Sequence, residues 1–280
     1  MFVTCVLCGV KEVIKFGLAV MYWPILVLAG SKPHRVILCY HGVDRNRARR
    51  FREQMAFLKN GGHKIVRVSQ ILSAKVEDKD SLVAITFDDG FASVVENAVP
   101  VLRAQGLTAS IFVPTAFLGQ RPKWDMPEDC PDRNELVMDR QHLAELRDSG
   151  FEILSHTLSH RALPELSDDE LHSELLQSKA ALEEILGCEV AGVSYPYGDY
   201  DVRVCREARK VGYRFGVTLQ PCVVSRGTDT MQLGRFIVSA NDNLYKFRLK
   251  VCGAYQMGKY LQSIKRAIVR VLRAKSSLCR

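Results

Sequence analysis

The sequence has no regular cysteine spacing, no internal repeat and no low-complexity tract, and each absence removes a class of protein. Its nine cysteines, an odd number, are scattered from Cys5 to Cys279. That argues against a secreted disulfide scaffold and for a reducing compartment. Cys5 and Cys8 stand at CxxC spacing, but with no second pair nearby they read as apolar filler rather than a zinc or redox site. Residues 16–30 are free of charge, yet they fall short of the ~20 apolar residues of a membrane span and Pro24 interrupts them. No acidic residue follows Asp242, whereas ten Lys and Arg do, from Lys246 to Arg280. The net charge of +8 therefore belongs to one segment, because the other 29 basic residues face 31 acidic ones. No nucleic-acid-reading motif accompanies these cations, so no nucleic-acid partner is expected. With 47% apolar and 25% charged residues, the chain is also no candidate for disorder, collagen or coiled coil.

What is present is an alternation of short β-prone runs with helical segments. Strands are expected at 36–40, 64–68, 82–87, 109–113, 151–155, 191–195 and 215–218, with a further one at 236–239. Between them lie helical stretches, among them 94–102, 140–149 and 202–211. Ser167, Asp168, Asp169 and Glu170 form a capping box that opens a helix closed near Gly187. Strands separated by helices imply βαβ units and a parallel sheet; seven or so such units suggest closure into a barrel rather than an open sheet, and periodicity alone does not decide between the two.

Functional residues of parallel α/β folds gather just after the C-terminal ends of strands, and four polar clusters lie at such points. Thr86-Phe87-Asp88-Asp89-Gly90 sets two carboxylates at a strand end, one suited to bind a metal and the other to deprotonate a water. A helix N-cap would also account for them. His156 and His160 lie four apart, the spacing with which two imidazoles chelate one metal. Together these clusters offer His, His and Asp, with positions left for water and substrate. In Ser194-Tyr195-Pro196-Tyr197-Gly198 a rigid turn leaves the Tyr197 N–H free to donate to a developing oxyanion, or simply packs two aromatics. His41, in Tyr40-His41-Gly42-Val43, is either a site residue or a satisfied rim histidine.

TFDDG, SHTLSH and the YPYG turn, in this order, resemble the first three motifs of the NodB-homology polysaccharide deacetylases, carbohydrate esterase family four. The resemblance spans 36–241, and the YHGV start with FREQMAFLKNGGHKIVRV is most similar to the exopolysaccharide, poly-N-acetylglucosamine deacetylase branch. It implies a distorted (β/α)7 barrel, with Asp88 as catalytic base. It further implies Asp89, His156 and His160 as ligands of a divalent metal, usually zinc, and the Tyr197 N–H as an oxyanion donor. The substrate would be an N-acetylated glycan. Two departures stand out. Ser194 occupies the place of an Arg that orients the base in many members, for which Arg235 in Leu233-Gly-Arg-Phe-Ile-Val238 is a substitute. The late Leu-x-x-His motif that supplies a general acid is not evident, since no histidine follows His172. Either His41 contributes, or the metal and water suffice, or the scaffold is a weak or inactive deacetylase that binds glycan. A small cyclic-amide hydrolase is a further alternative.

Three segments follow: an apolar one at 1–35, the barrel at 36–241 and a basic tail at 242–280. The first reads as a membrane-associated segment, a packing helix or a cleaved signal. The tail, with Leu261, Ile264, Ile268, Val271 and Leu272 among its cations, reads as an amphipathic helix for an anionic membrane surface, or as a terminal helix packed on the barrel. The expectation is a membrane-associated enzyme, with the unpaired cysteines favouring the cytoplasmic side.

Overall fold

Leu82–Phe87, an uninterrupted β-prone run, forms the central strand. The computed structural model describes residues 2–28, 35–73 and 81–257. Its strands are β1 (Arg35–Tyr40), β2 (Lys64–Val66), β3 (Leu82–Phe87), β4 (Ser110–Val113), β5 (Glu152–Ser155), β6 (Gly192–Ser194), β7 (Phe215–Val217) and β8 (Phe236–Ile237). Every strand pairing is parallel. All six residues of β3 are buried, as a parallel strand covered on both faces requires. Along one edge β3 pairs with the whole of β1, from Arg35 opposite Leu82 to Tyr40 opposite Phe87. Its other edge is divided, with β2 against Leu82–Ala84 and β4 against Thr86 and Phe87.

From β4 the sheet continues through β5 and β6 to β7, and on the far side β8 pairs with β1. The segment just before β8 completes the ring. Leu233 donates to the Gly216 carbonyl at 2.9 Å and accepts from the Thr218 N–H at 2.8 Å, while the Val238 N–H donates to Cys39 at 2.8 Å. Seven strands thus run round the barrel, with β2 as a splint on β3, in agreement with the expected distorted (β/α)7 architecture.

The helices are α1 (Phe2–Leu28), α2 (Ala48–Asn60), α3 (Val68–Ser73), α4 (Val99–Gln105), α5 (Arg140–Asp148), α6 (Asp168–Leu186), α7 (Val202–Val211) and α8 (Leu244–Val251). Two expectations shift. The run expected as a strand to residue 68 stops at Val66, because Val68 opens α3 and donates its N–H to the Ser110 hydroxyl. The helix expected from residue 94 begins as a π-helical turn, Val94–Ala98, leading into Pro100 at the first turn of α4. The capping box of α6 forms as expected: the Glu170 N–H donates to Ser167 Oγ, the Ser167 N–H donates to Glu170 at 3.0 Å, and Gly187 closes the helix at φ +63°. Ser167→Ala should lower stability by about 1 kcal/mol, read as a shift in the urea midpoint at constant slope.

At the N-terminus α1 runs through Pro24, which lies on its exposed side. Its inward side seats Ala19, fully buried, and sets Phe16 and Trp23 edge-on against Tyr245 of α8 at 6.1 and 6.3 Å. Among the described residues, no helix is long and apolar enough to cross a membrane. Residues 242–257, placed in the tail by sequence, hold α8 and pack on α1 and α2. The amphipathic pattern from Leu261 to Leu272 lies outside the described residues.

Candidate active site

Four residues outside glycine adopt left-handed backbone among the described residues: Asp89 (φ +64°), Thr157 (+65°), His160 (+59°) and Tyr197 (+58°). All four lie in the loops after β3, β5 and β6. Such a conformation costs an L-residue on the order of 1–3 kcal/mol and is most unusual for β-branched Thr. Two of the four, Asp89 and His160, present their ligand atoms together with His156 in one pocket at the C-terminal end of the barrel.

Asp88 and Asp89 show how. Adjacent residues of a continuing strand would point to opposite sides. β3 ends at Phe87, Asp88 keeps its N–H on the Tyr40 carbonyl at 2.9 Å, and the chain then turns at Asp89. Gly90 completes the turn at φ +59°, where a Cβ would stand 3.0 Å from Val113. The two carboxylates therefore share the pocket but face different partners.

Asp88, 3% exposed, receives both terminal nitrogens of Arg235 at 2.6 Å each. The Ser194 hydroxyl donates to it at 3.1 Å and in turn accepts from Arg235 at 2.9 Å. Arg235 is itself wholly buried and donates to the Thr218 carbonyl and the Thr86 hydroxyl. Burial pushes the Asp88 carboxyl up, but Arg235 and then His156 outweigh it and hold it at about 2. Burial likewise works against the guanidinium charge, and Asp88 reverses the effect. A two-pronged guanidinium fixes the plane of a carboxylate as well as its charge. Arg235→Leu would strand a buried anion, so unfolding free energy should fall by about 3–5 kcal/mol. Arg235→Lys should lose less, since it keeps the charge and gives up the fork; chemical denaturation of both variants at neutral pH checks the order.

Asp89 Oδ1 lies 3.3 Å from His156 Nε2 and 3.4 Å from His160 Nε2. All three residues are buried, and their three ligand atoms lie within 4.8 Å of one another. His156 directs Nδ1 to the Ser194 carbonyl at 2.9 Å, which places its hydrogen there and turns the Nε2 lone pair into the pocket. The buried Asp89 Oδ1 has no hydrogen-bond donor. Two ligand atoms on a tetrahedral divalent ion at ~2.1 Å stand about 3.4 Å apart, so the donor set fits such an ion in both chemistry and spacing. Burial raises the Asp89 carboxyl, yet the two imidazoles more than offset it and hold it well below the usual range. For His156 burial lowers the ring and the two aspartates raise it more; for His160 burial prevails and the ring is lowered.

Tyr197 sits in the turn Pro196–Gly198 after β6. The turn's backbone bonds run from Gly198 to Tyr195 and from Asp199 to Pro196, and neither uses the Tyr197 N–H. The Tyr197 ring stands edge-on to His160 at 4.8 Å and its hydroxyl donates to the Asp125 carbonyl. His41, half-buried just after β1, is not one of the three clustered residues.

Some contributors carried little or no signal in the sequence. Trp124, from the long loop between β4 and α5, stacks on His160 at 4.7 Å and 26°. Cys39 on β1 lies 3.6 Å from Asp88 Oδ2, its thiol raised by burial. Glu174, in the second turn of α6, is buried and accepts from both the N–H (2.9 Å) and the hydroxyl of Ser159. A glutamate inside an otherwise amphipathic helix gives no local hint of such a partner; an aromatic beside Pro and acid in a loop is the faint clue to Trp124.

Residues 75–216 match the family model described as polysaccharide deacetylase. The Bacillus subtilis protein YxkH, itself named only provisionally as a polysaccharide deacetylase, is 27% identical over 244 residues, covering 84% of this chain and 79% of its own. A poly-beta-1,6-N-acetyl-D-glucosamine N-deacetylase of Staphylococcus epidermidis is 25% identical over 226 residues, covering 77% of this chain and 73% of its own. The solved structure of IcaB from Ammonifex degensii has the same fold, with a TM-score of 0.66 at 24% identity over 79% of this chain and 96% of that one.

Proposed function

The chain belongs to the polysaccharide deacetylase family, and on that premise we propose that it hydrolyses the N-acetyl groups of amino sugars in a poly-N-acetylglucosamine-type glycan or its biosynthetic intermediate. The observation that carries the proposal is the joint placement of two separate assemblies in one pocket: the Asp89, His156 and His160 cluster, and the Asp88–Arg235 pair 4.0 Å from His156. Resemblance to a named poly-N-acetylglucosamine deacetylase supports the choice of glycan.

Asp89, His156 and His160 would hold the divalent ion, which we assign as zinc. When bound, that ion supplies Lewis acidity to the attacking water and to the acetamide carbonyl. Asp88 accepts the water proton. A carboxylate held near 2 by Arg235 is a weak base, so it needs an acidified water, but it is ionised throughout the neutral range. Arg235 keeps the acceptor oxygen in place. The Tyr197 N–H donates to the oxyanion that develops as the carbonyl carbon becomes tetrahedral. The departing amine needs a proton, and we assign that role to His41, which stands at a strand end on the same face of the barrel. The products are acetate and a glucosamine unit.

Acetate release from β-1,6-linked N-acetylglucosamine oligomers, with acetylated xylan and allantoin as controls, tests the reading. Release is expected only from the N-acetylated sugar, and should disappear with chelator and return with zinc. Ring opening of allantoin without acetate release from the oligomers would overturn it. The lack of any histidine after His172 favours a second reading, a glycan-binding protein on an inactive scaffold; oligomer binding without acetate under zinc would select that one.

A further inference from the structure

Away from the pocket, α1 shows solvent five large apolar side chains: Val13 (71% exposed), Ile14 (51%), Met21 (73%), Ile25 (59%) and Leu28 (88%). Ile14, Met21, Ile25 and Leu28 recur at intervals of seven, four and three, which sets them along one face. The opposite face is already occupied by the body through Phe16, Ala19 and Trp23. A contiguous apolar stripe of this kind on a soluble surface marks a docking site.

The charges beside it identify the occupant. No acid or base interrupts residues 16–31. On the body-facing side of α1, Arg248 lies over the Trp23 ring at 5.0 Å, and α8 adds exposed Leu244 and Tyr245. The nearby acids are consumed internally: Glu12 pairs with Lys15 and Lys246, and buried Asp242 pairs with Lys246 and Lys250. Beyond Asp242 every charged side chain of the sequence is a cation. An uncharged apolar stripe on a helix whose other side carries Trp, Tyr and an exposed Arg suits the boundary between headgroups and acyl chains of an anionic bilayer.

We propose that α1 lies in the plane of an anionic membrane surface, its Ile14–Leu28 face in the lipid and its Phe16–Trp23 face on the barrel. The inference is independent of the deacetylase reading. Co-sedimentation of the full chain with phosphatidylcholine vesicles, with and without phosphatidylglycerol, tests it. Binding should require the anionic lipid and weaken with salt. Met21→Glu/Ile25→Glu should lower the partition coefficient by at least about tenfold, with acetate release from soluble oligomers unchanged. Absence of binding, binding that the double variant leaves intact, or a lipid-free dimer that it dissolves would each overturn the proposal.

A separate observation carries a second inference, which rests on the metal reading above. The turn that delivers His160 has left-handed residues at both ends, Thr157 and His160, and is held from below by α6. Besides the two Ser159 bonds, the Glu174 carbonyl accepts from the Leu158 N–H at 3.2 Å. We infer that Glu174 is a positioning residue for the metal ligand His160. Glu174→Leu should weaken zinc affinity about 10–100-fold, with Glu174→Gln intermediate because one acceptor oxygen remains. Zinc titration of the purified apo forms, alongside their circular dichroism, reads this directly. Equal affinity in wild type and folded Glu174→Leu overturns this inference alone; absence of zinc binding by the wild type overturns the metal reading and this inference with it.

Discussion

Asp88→Asn is expected to lower acetate release by about 10²–10⁴-fold, the usual contribution of a positioned general base, while zinc content stays unchanged. The amide fills the same space beside His156 but accepts no proton at neutral pH. The variant also leaves the buried Arg235 charge without its anion, and breaking such a pair costs about 3–5 kcal/mol. Loss of activity alone could therefore reflect loss of fold. Asp88→Asn/Arg235→Met separates the two effects. Removing the stranded cation should recover much of the stability and none of the rate. If Asp88→Asn is folded, zinc-loaded and fully active, Asp88 is not the base.

Asp89→Ala is the second large effect. It deletes the only carboxylate of the clustered donors, and two imidazoles alone hold a divalent ion far less tightly. Zinc affinity should fall by more than about 10²-fold, and acetate release should fall with it, since Lewis-acid assistance is worth several kcal/mol and each 1.36 kcal/mol is tenfold in rate. Zinc dialysis followed by metal analysis gives the affinity, and assay over rising zinc tells whether activity tracks occupancy. Retained stoichiometric zinc in Asp89→Ala would remove the residue from the ligand set.

Much of this was legible in the residues. The βαβ rhythm, the α6 capping box and the strand-end clusters all depend on local pattern, which a linear reading captures. His156 and His160 could be paired on spacing alone. Ring closure could not, because β8, which pairs with β1, is two residues long and the segment before it is held to β7 by backbone bonds that leave no composition signal. The brace under Ser159 and the Trp124 stack are long-range side-chain contacts of the same kind. The direction of Asp89 escaped as well, because a positive φ at a non-glycine residue is imposed by surroundings rather than by its own preference.

The short stretch that joins β7 to β1 also carries Arg235, whose partner Asp88 lies 147 positions earlier. Fixing of the Asp88 carboxylate and completion of the barrel thus depend on the same stretch of chain. A nascent chain still lacking its last strand already contains Asp89, His156 and His160, yet the charge that steadies Asp88 has not arrived. Contacts of such separation form late because the intervening loop entropy must be overcome first. Proteolysis just ahead of Leu233 should therefore silence the enzyme before it unravels the other strands.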